Sequence, residues 1–242
     1  MGLFRRVAVI LGHSGGMVAP ESSSLPASGG GDRGSAKKPA TEPLDLEVTE
    51  RRRTVALAGH RGDEPTVRAG LSDPAPSVRA SALGGLRRLS ALSDSDLVVA
   101  LCDPAPVVRR RAVELAVHFP ELPIDDALSD PDPSVVEMTA WAMGERVDRA
   151  SVPELSALAS AESGHADPLC REAAVAALGA IGDPAGLAAI LSALEDKPNI
   201  RRRAAVALAA FDGPEVEAAL RRCLDDRDWQ VRQVAEDLLA VE

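Results

Sequence analysis

Histidine and cysteine are the residues that most often carry chemistry, and here they are scattered. Cys102, Cys170 and Cys223 lie far apart and no CxxC pair exists, so neither a zinc knuckle nor a disulfide framework is indicated. This cysteine usage predicts a reduced, cytoplasmic protein. His60 and His118 fall near expected helix ends, where capping or surface roles outweigh ligation. The residues that do recur at regular spacing are aspartate and arginine. Leu71-Ser-Asp73-Pro74-Ala-Pro-Ser-Val78-Arg79, Leu101-Cys-Asp103-Pro104-Ala-Pro-Val-Val108-Arg109 and Leu128-Ser-Asp130-Pro131-Asp-Pro-Ser-Val135-Val136 share one template. Leu194–Arg201 and Leu224–Arg232 are looser copies, and Asp167-Pro168-Leu-Cys170-Arg171 reads as a copy short of two loop residues. A column of arginines could grip phosphates, but an aspartate column runs beside it and favours a structural use.

Repetition at a near-fixed period decides the architecture. Anchors at 79, 109, 136, 171, 201 and 232 are spaced by 30, 27, 35, 30 and 31 residues. One residue before each stand Val78, Val108, Val135, Cys170, Ile200 and Val231; three after stand Ala82, Ala112, Thr139, Ala174, Ala204 and Ala235. Seven after come Leu86, Ala116, Met143, Leu178, Leu208 and Leu239. These positions share one helix face, so each anchor opens an amphipathic helix. Cys170 fills the valine position and is expected to pack in the core. Shorter apolar segments between anchors (66–71, 96–101, 124–128, 153–159, 187–194, 214–224) predict a first helix for each unit, joined by an Asp-Pro turn. Proline suits the first helical turn and aspartate the cap before it. Residues 50–59 read as the second helix of an incomplete opening unit, and 161–166 as a loop insertion. Helix pairs that leave an apolar face wet must stack to bury it.

Composition agrees. Apolar residues make up 45% of the 242 and aromatics 2%, which suits Ala- and Leu-rich helices over a β-sandwich. Net charge is −10; residues 1–45 hold five basic and four acidic groups, leaving 22 and 33 in the remainder. An acidic body argues against nucleic acid as a partner. No apolar run approaches a membrane span. Residues 1–45 are expected to be a disordered Ser/Gly/Pro-rich tail and 46–242 the repeat domain. Arg5-Arg6 before the apolar run Val7–Leu11 is too short for a signal peptide, and Arg6 breaks a myristoylation motif. The run reads as an unstructured terminus, with a docking peptide as the alternative.

The pattern Leu-x-Asp-Pro-x-Pro-x-Val-Arg-x-x-Ala over 46–242 resembles the short HEAT-like repeat first associated with phycobilisome lyase subunits. The resemblance implies an all-α, right-handed α-solenoid of about six helical pairs. It also implies a ladder between neighbouring turns, through Asp73, Asp103, Asp130, Asp167, Asp196 and Asp226 and through Arg79, Arg109, Arg171, Arg201 and Arg232, broken at Val136. The triplets 51–53, 109–111 and 201–203 would each supply one ladder arginine. Among enzymes of similar architecture, deoxyhypusine hydroxylase holds two irons on His-Glu pairs. Here the histidines precede Ser14, Arg61, Phe119 and Ala166, so no such pair exists. Bilin lyases, HEAT-like DNA glycosylases and epoxyqueuosine reductases need aromatic, basic or Cys-rich features that this chain lacks. No cofactor is expected.

Second helices line the concave surface in such solenoids. Five residues after each anchor stand Gly84, Glu114, Trp141, Ala176, Val206 and Asp237, and Trp141 is the odd member, either an exposed hot spot or folded over the Val136 irregularity. One residue after the anchor come Arg110, Glu137, Glu172, Arg202 and Gln233. With Arg111 and Glu114 they would form a mixed-charge groove. The expected function is a monomeric, non-catalytic scaffold that binds another protein or peptide through Trp141, Arg110, Glu114, Glu137 and Arg111. The alternatives are an accessory subunit of a lyase or oxidoreductase acting on a cofactor-bearing partner, or a nucleic-acid binder.

Overall fold

The computed structural model describes residues 45–240, and the expected tail lies outside the described residues except for Asp45. That carboxylate caps the first helix, accepting the Glu47 and Val48 N–H groups at 3.0 and 3.2 Å. Among the described residues there are twelve α-helices, five 3₁₀ turns and no strand. Helix α1 (Leu46–Arg61) stands alone, and six units follow, five of them helix pairs. These are α2 (Glu64–Ala69) with α3 (Pro76–Arg88), and α4 (Asp94–Leu101) with α5 (Pro106–Ala116). A 3₁₀ turn (Asp125–Ser129) precedes α6 (Pro133–Arg146). Next come α7 (Val152–Ala159) with α8 (Pro168–Ile181), α9 (Leu187–Ala193) with α10 (Pro198–Ala207), and α11 (Pro214–Cys223) with α12 (Trp229–Leu239). The third unit therefore replaces its first helix with a short 3₁₀ turn.

Second helices stack in chain order, α1 on α3, then α5, α6, α8, α10 and α12. The predicted stripe is what they bury: Val78, Ala82 and Leu86, and likewise Ile200, Ala204 and Leu208, have essentially no exposure. The buried apolar residues form one continuous cluster from Val55 to Leu238, so each unit is stabilised by its neighbour. Small residues set the spacing. A Cβ on Gly144 would fall 2.9 Å from the Ala177 Cα, so α6 and α8 touch backbone to backbone there.

The recurring arginine points forward, to the aspartate of the next unit. Arg79 donates from Nε and Nη2 to Asp103 at 2.8 and 2.7 Å, and Arg109 to Asp130 at 2.6 and 2.8 Å. Arg171 meets Asp196 at 2.8 and 3.0 Å, and Arg201 meets Asp226 at 2.9 and 3.0 Å. Arg51, the first of its triplet, forks onto Asp73 in the same way. The third guanidinium nitrogen reaches back to its own turn, as in Arg79 Nη1 to the Asp73 carbonyl at 2.9 Å. The aspartates do not cap the following helix. Asp73, Asp103 and Asp130 accept the N–H two residues on, at 2.8, 2.9 and 2.8 Å, which fixes the turn, and both oxygens of each carboxylate accept the arginine of the preceding unit.

Two expected ladder members fall out. Asp167 pairs with no arginine among the described residues; it caps α8, accepting the Leu169 N–H at 2.9 Å. Its expected place is held by His165, whose Nδ1 accepts the Asp167 N–H at 3.0 Å while its carbonyl receives Arg171 Nη1 at 2.8 Å. No loop residues are missing from that turn: position 165 lies six before the anchor, as 73 lies before 79. Imidazole thus replaces carboxylate in the unit that follows Val136, the buried residue that replaces arginine. A carboxylate there would have no guanidinium to balance it. Arg232 reaches only its own turn, the Asp226 carbonyl at 2.7 Å, because no further described unit supplies an aspartate.

The ladder makes the fold acid-sensitive. The adjacent guanidinium holds Asp73, Asp130, Asp196 and Asp226 below the usual carboxylate pKa. At Asp103 burial pushes upward most strongly, but the bonds from Arg79 and the Ala105 N–H outweigh it. A depressed folded pKa contributes stability that is complete above the unfolded value and is lost as pH falls through the folded value. Thermal stability should therefore hold from neutral pH to about 5 and drop steeply below about 4, the ordinary aspartate range. Melts across pH 2.5–7 that stay flat would contradict this.

Candidate functional site

A groove of about 600 Å³ runs across the second helices α5, α6, α8 and α10. Trp141 stands in it with 41% of its surface exposed, which decides between the two sequence readings in favour of the exposed one. Its position follows from the helix. Thr139, Ala140, Ala142 and Met143 turn into the core, and their packing holds α6 so that residue 141 faces outward. Leu169, exposed at 54% near the start of α8, and Met138 extend the apolar floor. Ala173, Ala176 and Ala180 keep the α8 side low.

Charge rings this floor. Arg110, Glu114 and Glu137 line the groove as the spacing placed them, joined by Glu145, Glu172 and Arg203. Some of these are already engaged. Glu114 accepts Arg111 at 2.7 Å, and Glu172 accepts the Asn199 amide at 2.7 Å with Arg203 at 3.5 Å. Arg110, Glu137 and Glu145 make no side-chain hydrogen bond or ion pair among the described residues. Arg111 does not line the groove, which corrects its expected place. Its Nη2 lies 2.5 Å from where a Gly84 Cβ would stand, so it fills the gap that glycine leaves on α3. Met138 and Glu145 were not singled out by the repeat pattern. Their signal was present as helical spacing, since 138 adjoins the anchor row and 145 follows Trp141 by one turn.

Two of the three thiols are buried and held protonated. Cys170 Sγ lies against the Pro133 carbonyl at 3.2 Å, and burial pushes its pKa up to about 11. Burial also raises Cys223. A thiol held protonated is a poor nucleophile. Among the described residues no group of His, Cys, Asp and Glu is placed to hold a metal ion, and no helix is long and apolar enough to cross a membrane. Trp229, exposed at 64%, opens α12 at the far end of the stack, outside the groove.

The family profile described as HEAT repeats matches residues 123–206 and 158–240, which cover the last four units. No curated protein matches the sequence. Among solved structures, YibA of Escherichia coli is similar at a TM-score of 0.55 with 16% identity, over 78% of each chain. A computationally designed armadillo repeat protein for modular peptide recognition aligns at TM-score 0.43 and 14% identity, over 83% of this chain and 95% of its own. Human deoxyhypusine hydroxylase aligns at 0.42 and 21%, over 82% and 81%. The recurring helix pair, the shared core and the matched profile converge: the chain is a HEAT-like repeat protein.

Proposed function

We propose that this protein is a non-catalytic interaction scaffold that holds a protein or peptide partner in the groove over α5, α6, α8 and α10. The observation that carries this reading is Trp141, a large aromatic left exposed between unpaired polar groups in a concavity. Burying an indole releases much apolar area for little side-chain entropy, which is why tryptophan recurs at binding hot spots. Arg110 and Glu137, without side-chain partners among the described residues, would fix orientation and reject mismatched charge.

The test compares three variants by affinity capture, with circular dichroism as the folding control. Trp141→Ala and Glu137→Arg should each lose the partner that wild type retains, the first by about 2 kcal/mol, or roughly thirtyfold in Kd. Trp229→Ala, outside the groove, should retain it. A partner held equally by all three would place its site elsewhere.

A further inference from the structure

We propose that the groove is also the docking site of the chain's own N-terminal segment, residues 3–11, which a partner must displace. This builds on the groove described above, and its test requires no partner. Glu137, Trp141 and Glu145 stand four residues apart on α6, so they form one row along the helix. An indole between two carboxylates that have no partner among the described residues is a receptor for a cation carried on an apolar stem. Arg111 and Arg203 offset Glu114 and Glu172, and Arg110 adds one opposing charge to Glu137 and Glu145, so the rim stays acidic by one charge.

Leu3-Phe4-Arg5-Arg6-Val7-Ala8-Val9-Ile10-Leu11 has the matching chemistry: two adjacent arginines within an otherwise apolar run. Arg5 and Arg6 would meet Glu137 and Glu145, and the flanking apolar side chains would cover Trp141, Met138 and Leu169. The connection is long enough. Residues 12–44 supply 33 residues, and a chain rich in Gly, Ser and Pro of that length has an end-to-end distance of about 30 Å. From α1 the groove helix α6 is three steps along the stack, at about 8–10 Å per step. A tether matched to its span gives an effective concentration near the millimolar range, which keeps the site largely occupied even for an intrinsic Kd of about 100 μM.

The experiment uses the full-length chain carrying Trp229→Phe, so that Trp141 is its sole tryptophan. Acrylamide quenching of Trp141 is compared with and without Arg5→Glu plus Arg6→Glu, substitutions outside the repeats. Release of the segment should raise the quenching constant roughly twofold, since the tethered site is mostly filled beforehand. Adding Glu137→Arg and Glu145→Arg to the charge-reversed chain should restore protection. Equal quenching with and without the Arg5/Arg6 reversal overturns the proposal. Protection that fades on dilution also overturns it, because it would assign the occupant to a second copy. Loss of a partner on Trp141→Ala is read separately, so either reading can fail alone.

Discussion

Arg171→Ala should lower stability by about 3 kcal/mol, near the lower bound for stranding one member of a buried ion pair. Arg171 and Asp196 expose only 8% and 6% of their side chains, the most enclosed of the paired rungs. The arginine also donates to the His165 carbonyl at 2.8 Å, so its removal unties two turns at once. The remaining carboxylate keeps one N–H, that of Lys197 at 2.7 Å. By contrast, Arg202→Ala, which breaks a pair whose arginine is 42% exposed, should cost under about 1 kcal/mol. Urea titration of both variants, with Arg171→Ala/Asp196→Ala closing a double-mutant cycle, measures the coupling. A double variant as destabilised as the sum of the singles would show that the pair adds nothing beyond its separate contacts.

The second large effect is expected at Arg146, outside any ladder. Its Nη2 donates to the carbonyls of Ala116 and Phe119 at 2.6 and 2.9 Å, and its Nη1 to that of Leu122 at 2.9 Å. These carbonyls end α5 and shape the connection that follows it. Burial pulls the Arg146 pKa down from its ordinary value, yet guanidinium remains charged. Other units place Leu89, Phe119, Ile181 and Phe211 ten residues after the anchor. The third unit, whose first helix is reduced to a 3₁₀ turn, uses a fork of donors instead; it pairs the Leu122 carbonyl and adds a second donor to the Ala116 and Phe119 carbonyls, which already accept the Phe119 and Leu122 N–H groups at 2.8 and 3.0 Å. Arg146→Met keeps the stem and removes the donors; stability should fall by about 1–3 kcal/mol, chiefly because the Leu122 carbonyl loses its partner. Hydrogen exchange in 116–124 should quicken with it. Arg146→Lys, a single point donor, should recover only part of the loss. A methionine variant within about 0.5 kcal/mol of wild type would show that water replaces the guanidinium freely.

The two sites also mark the boundary between what is local and what is not. The apolar stripe from Val78 to Ala235 was legible because helical period fixes which face each residue occupies, and six-fold repetition of such a face leaves stacking as the way to bury it; at the last position the structure buries Leu238 where Leu239 was expected. The forward direction of the ladder was not legible. Whether Arg79 serves its own turn or Asp103 depends on the offset between units, and that offset is set by close contacts such as Gly144 on Ala177. The same applies to His165, whose role shows only once Arg171 bonds its carbonyl. In the groove, spacing indicated Trp141, Arg110 and Glu137, but not which charges were already used. Arg111 turns aside to Gly84 and Glu114, and Glu172 is taken by Asn199 and Arg203. Sequence alone determined the repeating faces, because backbone geometry is local; tertiary structure decided the pairing across units and the charges left free, because those depend on the distance between helices that share no segment of chain.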